Sequence, residues 1–480
     1  MEMNTAPETL TILHTNDIHS HFEHVPSLAA MIEAEKTKAA GPVLVLDIGD
    51  HMDRAAVETE GTMGSANVDI LNLTGYDAIT IGNNEGLTFT PEELQLAYAG
   101  IQCPVVCGNF VELSTGKTPS WMSEYAIIDK NGIKIGLLGA TAPFSTFYEL
   151  LGWSTLNPYE TLARQVREIR GQVDLIVVMS HLGLSSDQKI SSSISGIDVI
   201  LGAHTHHLLQ DPLIAGSTVI GAAGKFGRWL GTMTLEKAGG AASYRLVQGT
   251  CLEVVPDLLE ENVTAALLTH RQQAEQALSG TIVITDRELP VNTRRESPFG
   301  NLLAQAVRHF TGAPASVVNA GQLLGPLPEG DVSKGLLHQL CPSPINTCTM
   351  LLTGRELRRT LEESLLPEFT DRAIIGFGFR GKVLGSICVD GIQIKYDENR
   401  PSYDKITEIT IQGQVVQDEG SYLIGTLDMF TFKVGYEELA KGRDVSLRLP
   451  EFLGNLLEEE LKRPLALEQC FEQRWMERKE

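Results

Sequence analysis

Cysteine is scarce in this chain of 480 residues: seven, scattered at 103, 107, 251, 341, 348, 388 and 470. So sparse and odd a count gives no disulfide framework. Cys103 and Cys107 have no second pair at zinc-knuckle spacing. Reduced, buried structural thiols in a cytoplasm are the expectation. Long hydrophobic runs are also missing, and without a stretch of about 18 apolar residues no spanning helix is read. Residues 1–7 carry no basic region leading into an apolar one, so no signal peptide is expected. Positive charge is in deficit: 38 Lys and Arg face 61 Asp and Glu, a formal net charge of −23. That balance argues against nucleic-acid polymers and anionic membrane as partners. A small anionic substrate then needs a local positive site, which bound metal ions supply. Low-complexity tracts are absent too, and 42% hydrophobic residues reads as an ordinary globular chain with length for two large domains.

What is present concentrates in the first half. Short β-branched-rich runs at 10–14, 43–46, 78–81, 133–138, 175–179 and 199–201 read as strands, with helical patterns at 27–36, 91–99 and 159–169. Such alternation implies a sheet covered by helices. Residues 258–278 read as one polar helix closed by Ser279-Gly280, and the expected division is 1–256, a linker helix in 257–280, and 281–480. In the last part, helices are expected near 301–311 and 355–365 and strands at 316–319, 348–352, 392–396 and 406–411. Nine of the twelve histidines precede the break, so the chemistry belongs to the first domain.

Five polar segments follow apolar runs there: Asn16-Asp17-Ile18-His19, Gly49-Asp50, Gly82-Asn83, Ser180-His181 and His204-Thr205-His206. Ligands of open α/β sheets bind beyond the carboxyl ends of the strands. Asp17 with His19, and His204 with His206, are expected to share one side of an extended segment, because strand side chains alternate. Any one such pair is more often chance or a hydrogen-bonded turn. Five in order at strand ends supply the carboxylates, imidazoles and amide of a two-metal hydrolytic site. Such a site generates a nucleophilic hydroxide at neutral pH and clamps a phosphoryl group. Its oxygen–nitrogen ligand mixture suits manganese, iron, cobalt or zinc.

The order Asn-Asp-x-His, Gly-Asp, Gly-Asn, His and His-x-His resembles the calcineurin-like metallophosphoesterases, and over nearly the whole chain the 5′-nucleotidase / UDP-sugar hydrolase family. The resemblance implies an α/β (α+β) two-domain fold: a four-layer β-sandwich flanked by helices, then a 5′-nucleotidase-type α/β domain. It implies one ion on Asp17, His19, Asp50 and His206 and another on Asp50, Asn83, His181 and His204. Two departures stand out. Where the family reads Gly-Asn-His-Glu, then an aromatic and Asp, this chain has Gly82-Asn83-Asn84-Glu85-Gly86-Leu87, so Asn84 and Leu87 replace the catalytic His–Asp dyad. Asn84 retains a hydrogen-bond donor but no proton shuttle. His51 is a substitute candidate, with a solvated loop histidine as its plainer reading. In the second domain, Arg295 and Asn319 match phosphate-contact positions. Leu324 replaces a motif arginine, and Ser343 and Met429 stand where stacking phenylalanines are usual. Phe377, Phe379, Phe430 and Phe432 are the aromatics available to rebuild a stacking face; Phe377 and Phe430 are taken as substrate-binding candidates, although core packing is the plainer reading for most of them.

The expected protein is a cytoplasmic, dinuclear phosphoester hydrolase of nucleotide catabolism. Its implied substrates are nucleoside monophosphates, cyclic nucleotides, or nucleotide-sugar and dinucleotide diphosphates. The rival expectation is a metal-bound sensor with little turnover, favoured by Asn84 and Leu87. The match of Gly376–Gly381 to G-x-G-x-x-G lacks a following helix, and Gly224-Lys225 lacks the rest of a P-loop.

Overall fold

The computed structural model describes residues 8–237 and 243–478; residues 1–7, on which the leader reading falls, lie outside them. The chain divides into two compact units at Ala274/Glu275.

The first unit is built on two sheets. One runs Arg245–Glu253, Trp229–Lys237, Glu8–Thr15, Val43–Asp47, Ala78–Ile79, with the last three strands parallel. The other runs Leu213–Ala215, Thr218–Gly221, Val199–Gly202, Leu175–His181, Ile133–Thr141, Tyr125–Lys130. Alternation along the strands decides what each face meets. Ile135, Leu137, Val177 and Met179 join Leu10, Ile12, Leu44 and Leu46 in one buried cluster that contains both sheets. Leu138, Ala140, Ile176 and Val178 point the other way and pack with Leu162, Val166, Ile169 and Ile190 of the helices Pro158–Ile169 and Leu184–Ser193. Each such fully buried side chain contributes roughly 1.5–3 kcal/mol. The result is the expected sandwich with helices outside it. All the first-half strand and helix expectations fall on observed elements, although the third strand is only Ala78–Ile79.

The polar helix runs Glu261–Ala277. Most of it belongs to the first unit rather than standing free as a linker. Val263 and Ala274 are fully buried. His270 lies 3.0 Å from Asp69, and Arg271 3.2 Å from Glu58. Its charged residues pack through ion pairs, which a reading of polarity alone misses.

In the second unit the order is Ile387–Asp390, Ala315–Asn319, Ser421–Leu427, Thr347–Thr353, Arg443–Arg448, and a smaller sheet runs Gln414–Val415, Ile406–Ile411, Ile392–Tyr396, Trp475–Glu477. Helix Pro298–Thr311 buries Phe299, Leu302, Leu303 and Val307 in the core of this unit. Among the described residues, no helix is long and apolar enough to cross a membrane.

Candidate metal centre

Every metal-type segment leaves a strand of the first unit at its carboxyl end. Asp17 and His19 follow Glu8–Thr15, and Asp50 follows Val43–Asp47. Asn83 opens the helix Asn83–Thr88 just beyond Ala78–Ile79. His181 is the last residue of Leu175–His181, and His204 and His206 lie past Val199–Gly202.

The local geometry is not the extended one expected. Asp17 (φ 52°), His19 (φ 48°), Asp50 (φ 51°), His204 (φ 70°) and His206 (φ 55°) all adopt left-handed backbone. Side chains at i and i+2 converge because the chain turns, not because a strand alternates. Such conformations cost of order 1–3 kcal/mol each and persist when surroundings enforce them. Here the loops lace one another: Asp17 N donates to Gly49 O (3.0 Å), His19 N to Asp50 O (2.8 Å) and Ser20 N to His51 O (2.9 Å). Gly49 (φ +86°) and Gly82 explain two of the motifs. A Cβ on Gly49 would meet Gly82 N at 2.4 Å, and one on Gly82 would meet Asp50 Oδ1 at 2.0 Å.

The side chains converge on two carboxylates. Asp50 Oδ2 lies 3.7 Å from His19 Nε2 and 3.3 Å from His181 Nε2. Asp17 Oδ1 lies 3.7 Å from His19 Nε2, 3.8 Å from His181 Nε2 and 3.4 Å from His206 Nε2. His204 Nδ1 lies 2.7 Å from Asn83 Oδ1. Asp17, His19 and His206 each offer an atom within 4.8 Å of the others, and so do Asp17, Asp50 and His181. Asp17 thus belongs to both groups, whereas the family pattern gives it to one ion.

Asp17, Asp50 and His181 are almost wholly buried. His19 Nε2 and His181 Nε2 are buried and make no well-aligned hydrogen bond, although His181 Nε2 lies within ion-pair distance of Asp50 Oδ2. Buried polar atoms left unpaired are costly, and a cation between these nitrogens and carboxylates removes the deficit. The donor set and the unpartnered nitrogens fit divalent ions. Burial opposes the charged forms, yet the groups hold each other charged. Asp50 and Asp17 raise His181 to about 10, and His181 keeps Asp50 below the usual carboxylate range.

The surrounding contacts orient these side chains. Asn16 Nδ2 donates to Asp17 Oδ2 (2.7 Å), and His181 Nδ1 is 2.7 Å from Ile48 O. Glu85 belongs to none of the five metal-type segments. It accepts from Gly82 N (2.9 Å), Asp50 N (3.2 Å) and Met52 N (2.9 Å), pinning the Asp50 loop to the helix that carries Asn83. Burial and the Asp50 charge push its carboxyl up to about 8. The signal was available as a capping box, Glu three residues after Gly82.

Asn84 lies beside the ligands: its N donates to Asp50 Oδ1 (2.7 Å) and its Nδ2 is 2.9 Å from His19 Nδ1. His51 is not a solvated loop histidine. It is buried, its Nδ1 is 3.2 Å from Asn67 Nδ2, and burial drives its pKa down to about 3.

The second unit treats its candidates differently. Arg295 is exposed. Asn319 is fully buried: its Nδ2 donates to Leu384 O (2.6 Å), and its Oδ1 accepts from Gln322 Nε2 (3.0 Å). Phe430 and Phe379 are core residues, which corrects the expectation of Phe430 as a substrate-binding residue and follows the plainer reading of core packing. The aromatic beside half-exposed Phe377 is Phe432, at a centroid distance of 5.7 Å.

Buried Asp, His and Asn at the strand ends of a sandwich define a metallohydrolase-type centre. Residues 10–208 match the calcineurin-like phosphoesterase family, and residues 273–437 match the 5′-nucleotidase, C-terminal domain. The chain is 35% identical over 455 residues to the uncharacterized metallophosphoesterase YunD of Bacillus subtilis, covering 94% of this chain and 98% of that one. It belongs to the metallophosphoesterases with a 5′-nucleotidase C-terminal domain. A putative 5′-nucleotidase from Staphylococcus aureus, solved in complex with alpha-ketoglutarate, shares the fold at TM-score 0.70 and 17% identity, covering 98% of this chain and 100% of that one. The NAD nucleotidase of Haemophilus influenzae does so at TM-score 0.68 and 15% identity, covering 98% and 97%.

Proposed function

We propose that this metallophosphoesterase is a cytoplasmic hydrolase of small phosphorylated metabolites, nucleotides among them. Asp17, His19, Asp50 and His206 would hold one divalent ion, and Asp50, Asn83, His181 and His204 the other, with manganese, zinc, iron or cobalt as the candidates. Divalent ions bound there supply Lewis acidity at the phosphoryl oxygens and an activated water. The supporting observation is the pair of unpartnered nitrogens, His19 Nε2 and His181 Nε2, both facing Asp50 Oδ2.

The chain's own residues then position and shield. Asn16 fixes Asp17, and Glu85 holds the Asp50 loop in register with Asn83. Asn84 stands against His19 Nδ1, so its role is to orient that imidazole; it takes no proton. Buried His51 serves the same loop through Asn67, whose amide also reaches Ser20 Oγ (2.9 Å). In the second unit, Arg295 would meet substrate phosphate, and Phe377 with Phe432 would offer an apolar face to a base.

The test is turnover of p-nitrophenyl phosphate by the manganese- or cobalt-loaded protein, with and without chelator. Chelator-sensitive release of nitrophenol is expected. Metal-loaded protein that turns over none of a panel of phosphorylated metabolites would favour the sensor reading, which the loss of a proton-carrying side chain at Asn84 supports.

A further inference from the structure

We propose that the segment Lys225–Arg228 forms a second anion site beside the metal centre, built for a phosphate carried on the substrate's leaving group. The inference rests on the reading of the centre as a phosphoester hydrolase.

Phe226 sits in left-handed backbone at φ 65°, between Gly224 (φ 68°) and Gly227 (φ 65°). For a bulky side chain this is an outlier, and such strain needs a structure that enforces it. The enforcing contacts come from the metal centre itself. Phe226 N donates to Asp17 O (2.7 Å), Asn16 Nδ2 to Gly224 O (2.7 Å), and Gly224 N to His207 O (2.9 Å). The turn is therefore tied to the residue that bears the Asp17 carboxylate and to the neighbour of His206.

What the turn presents is basic. The Phe226 ring lies 3.8 Å from the His21 ring and 5.9 Å, edge-on, from His19. Lys225 Nζ stands 4.4 Å from its centroid and Arg228 Cζ 5.9 Å. The ring is a post that holds cations around it. His21 is already engaged by Glu23 (2.7 Å). Lys225 and Arg228 form no ion pair with any described residue, although the chain carries 61 acids against 38 Lys and Arg. Half-buried Lys225 and exposed Arg228, two cations one ring away from His19 without an ion-pair partner among the described residues, suit an anion that extends from the reacting phosphoryl group. Because His21 and Lys225 crowd the ring, this is a charge site rather than a platform for a base.

The probe is a series of alkane bisphosphonates with two to four carbons between the phosphorus atoms, set against monophosphonates of matched length. Binding to the manganese-loaded full chain, freed of unbound metal, is read by calorimetry. At the best spacer the bisphosphonate is expected to bind about tenfold more tightly or better, since a second phosphonate gains charge-assisted hydrogen bonds. K225Q/R228Q should reduce that preference to within about twofold, while K225R/R228K, which keeps both charges, should retain it. A bisphosphonate advantage absent at every spacer, or surviving in K225Q/R228Q, would overturn the proposal and leave the metal centre standing. Monophosphonate binding that ignores metal loading would overturn both.

Discussion

In the first unit, the side chains singled out by motif are buried and incomplete: His19 Nε2 and His181 Nε2 face Asp17 and Asp50 with no well-aligned hydrogen bond. In the second, Asn319, Met429 and Phe430 are buried and held by the fold, whereas Arg295 is exposed. Asn319 is bonded at both ends of its amide, Met429 lies against Gln322 Nε2 (3.2 Å), and Phe430 is core. Gln322 Oε1 in this group has no hydrogen-bond partner among the described residues. What sets the first unit apart is convergence: its unpartnered imidazole nitrogens face two carboxylates, whereas leftover atoms such as Gln305 Oε1 and Thr360 Oγ1 belong to no such group among the described residues. On this comparison the first unit keeps a group of side chains arranged for metal ions, while Asn319 of the second is occupied within its own core.

The sharpest way to break the comparison is to remove a shared carboxylate. Asp50→Asn should lower kcat for p-nitrophenyl phosphate by about 1,000-fold or more, because one oxygen faces both imidazoles. His19→Ala should cost less, since it touches one ion only. Equal losses would mean Asp50 does not serve two ions.

Next in size is Glu85→Gln. The amide keeps one acceptor for three backbone donors at Gly82, Asp50 and Met52. Metal affinity should fall about 10- to 100-fold, read by metal titration. An unchanged titration would show that the Asp50 loop holds without it. Asn84→Ala should lower turnover by about tenfold or less with metal content intact, as expected of a group that orients an imidazole. Loss of metal instead would place Asn84 nearer the ions than its contacts imply.

How much of this was legible follows from which interactions are local. Strand ends were readable because β-branched runs and their polar caps are contiguous. The left-handed turns at Asp17, His19, Asp50, His204 and His206 were not, because they are enforced by hydrogen bonds between loops distant in sequence. Glu85 was legible only as a capping residue: its bond to Gly82 N is local, but those to Asp50 N and Met52 N join loops distant in sequence. Phe430 is core and Phe432 exposed because Asp428–Phe432 is a 3₁₀ turn, in which residues two apart point in different directions, and the sequence alone did not separate the two. His51 followed a bridging acid, and only the fold reveals that Asn67 covers it.

Smaller effects test the second unit. Asn319→Ala should cost about 1–3 kcal/mol of stability, because Leu384 O then keeps only Gly321 N and Gln322 Nε2 only Met429 Sδ, with KM for phosphate esters within about threefold of wild type. A large rise in KM with stability unchanged would return Asn319 to the substrate. Smallest is Asp428→Asn. Burial raises the Asp428 carboxyl from 3.8 to about 7. The folded state therefore keeps a proton that the unfolded chain releases, and stability from this group, full below about pH 4, is lost as pH rises to about 7. Asp428→Asn should raise the Tm at pH 8 but not at pH 4. A Tm gain equal at both would exclude titration as its cause.

The central claim is that the first unit holds two ions through the residues that lack partners in the fold. Elemental analysis of the full chain, refolded with excess manganese and freed of unbound metal, measures it directly. Two ions per chain are predicted, falling to one or none in Asp50→Asn and staying at two in Asn319→Ala. At most one ion in the wild-type chain, or two that survive Asp50→Asn, would contradict the account.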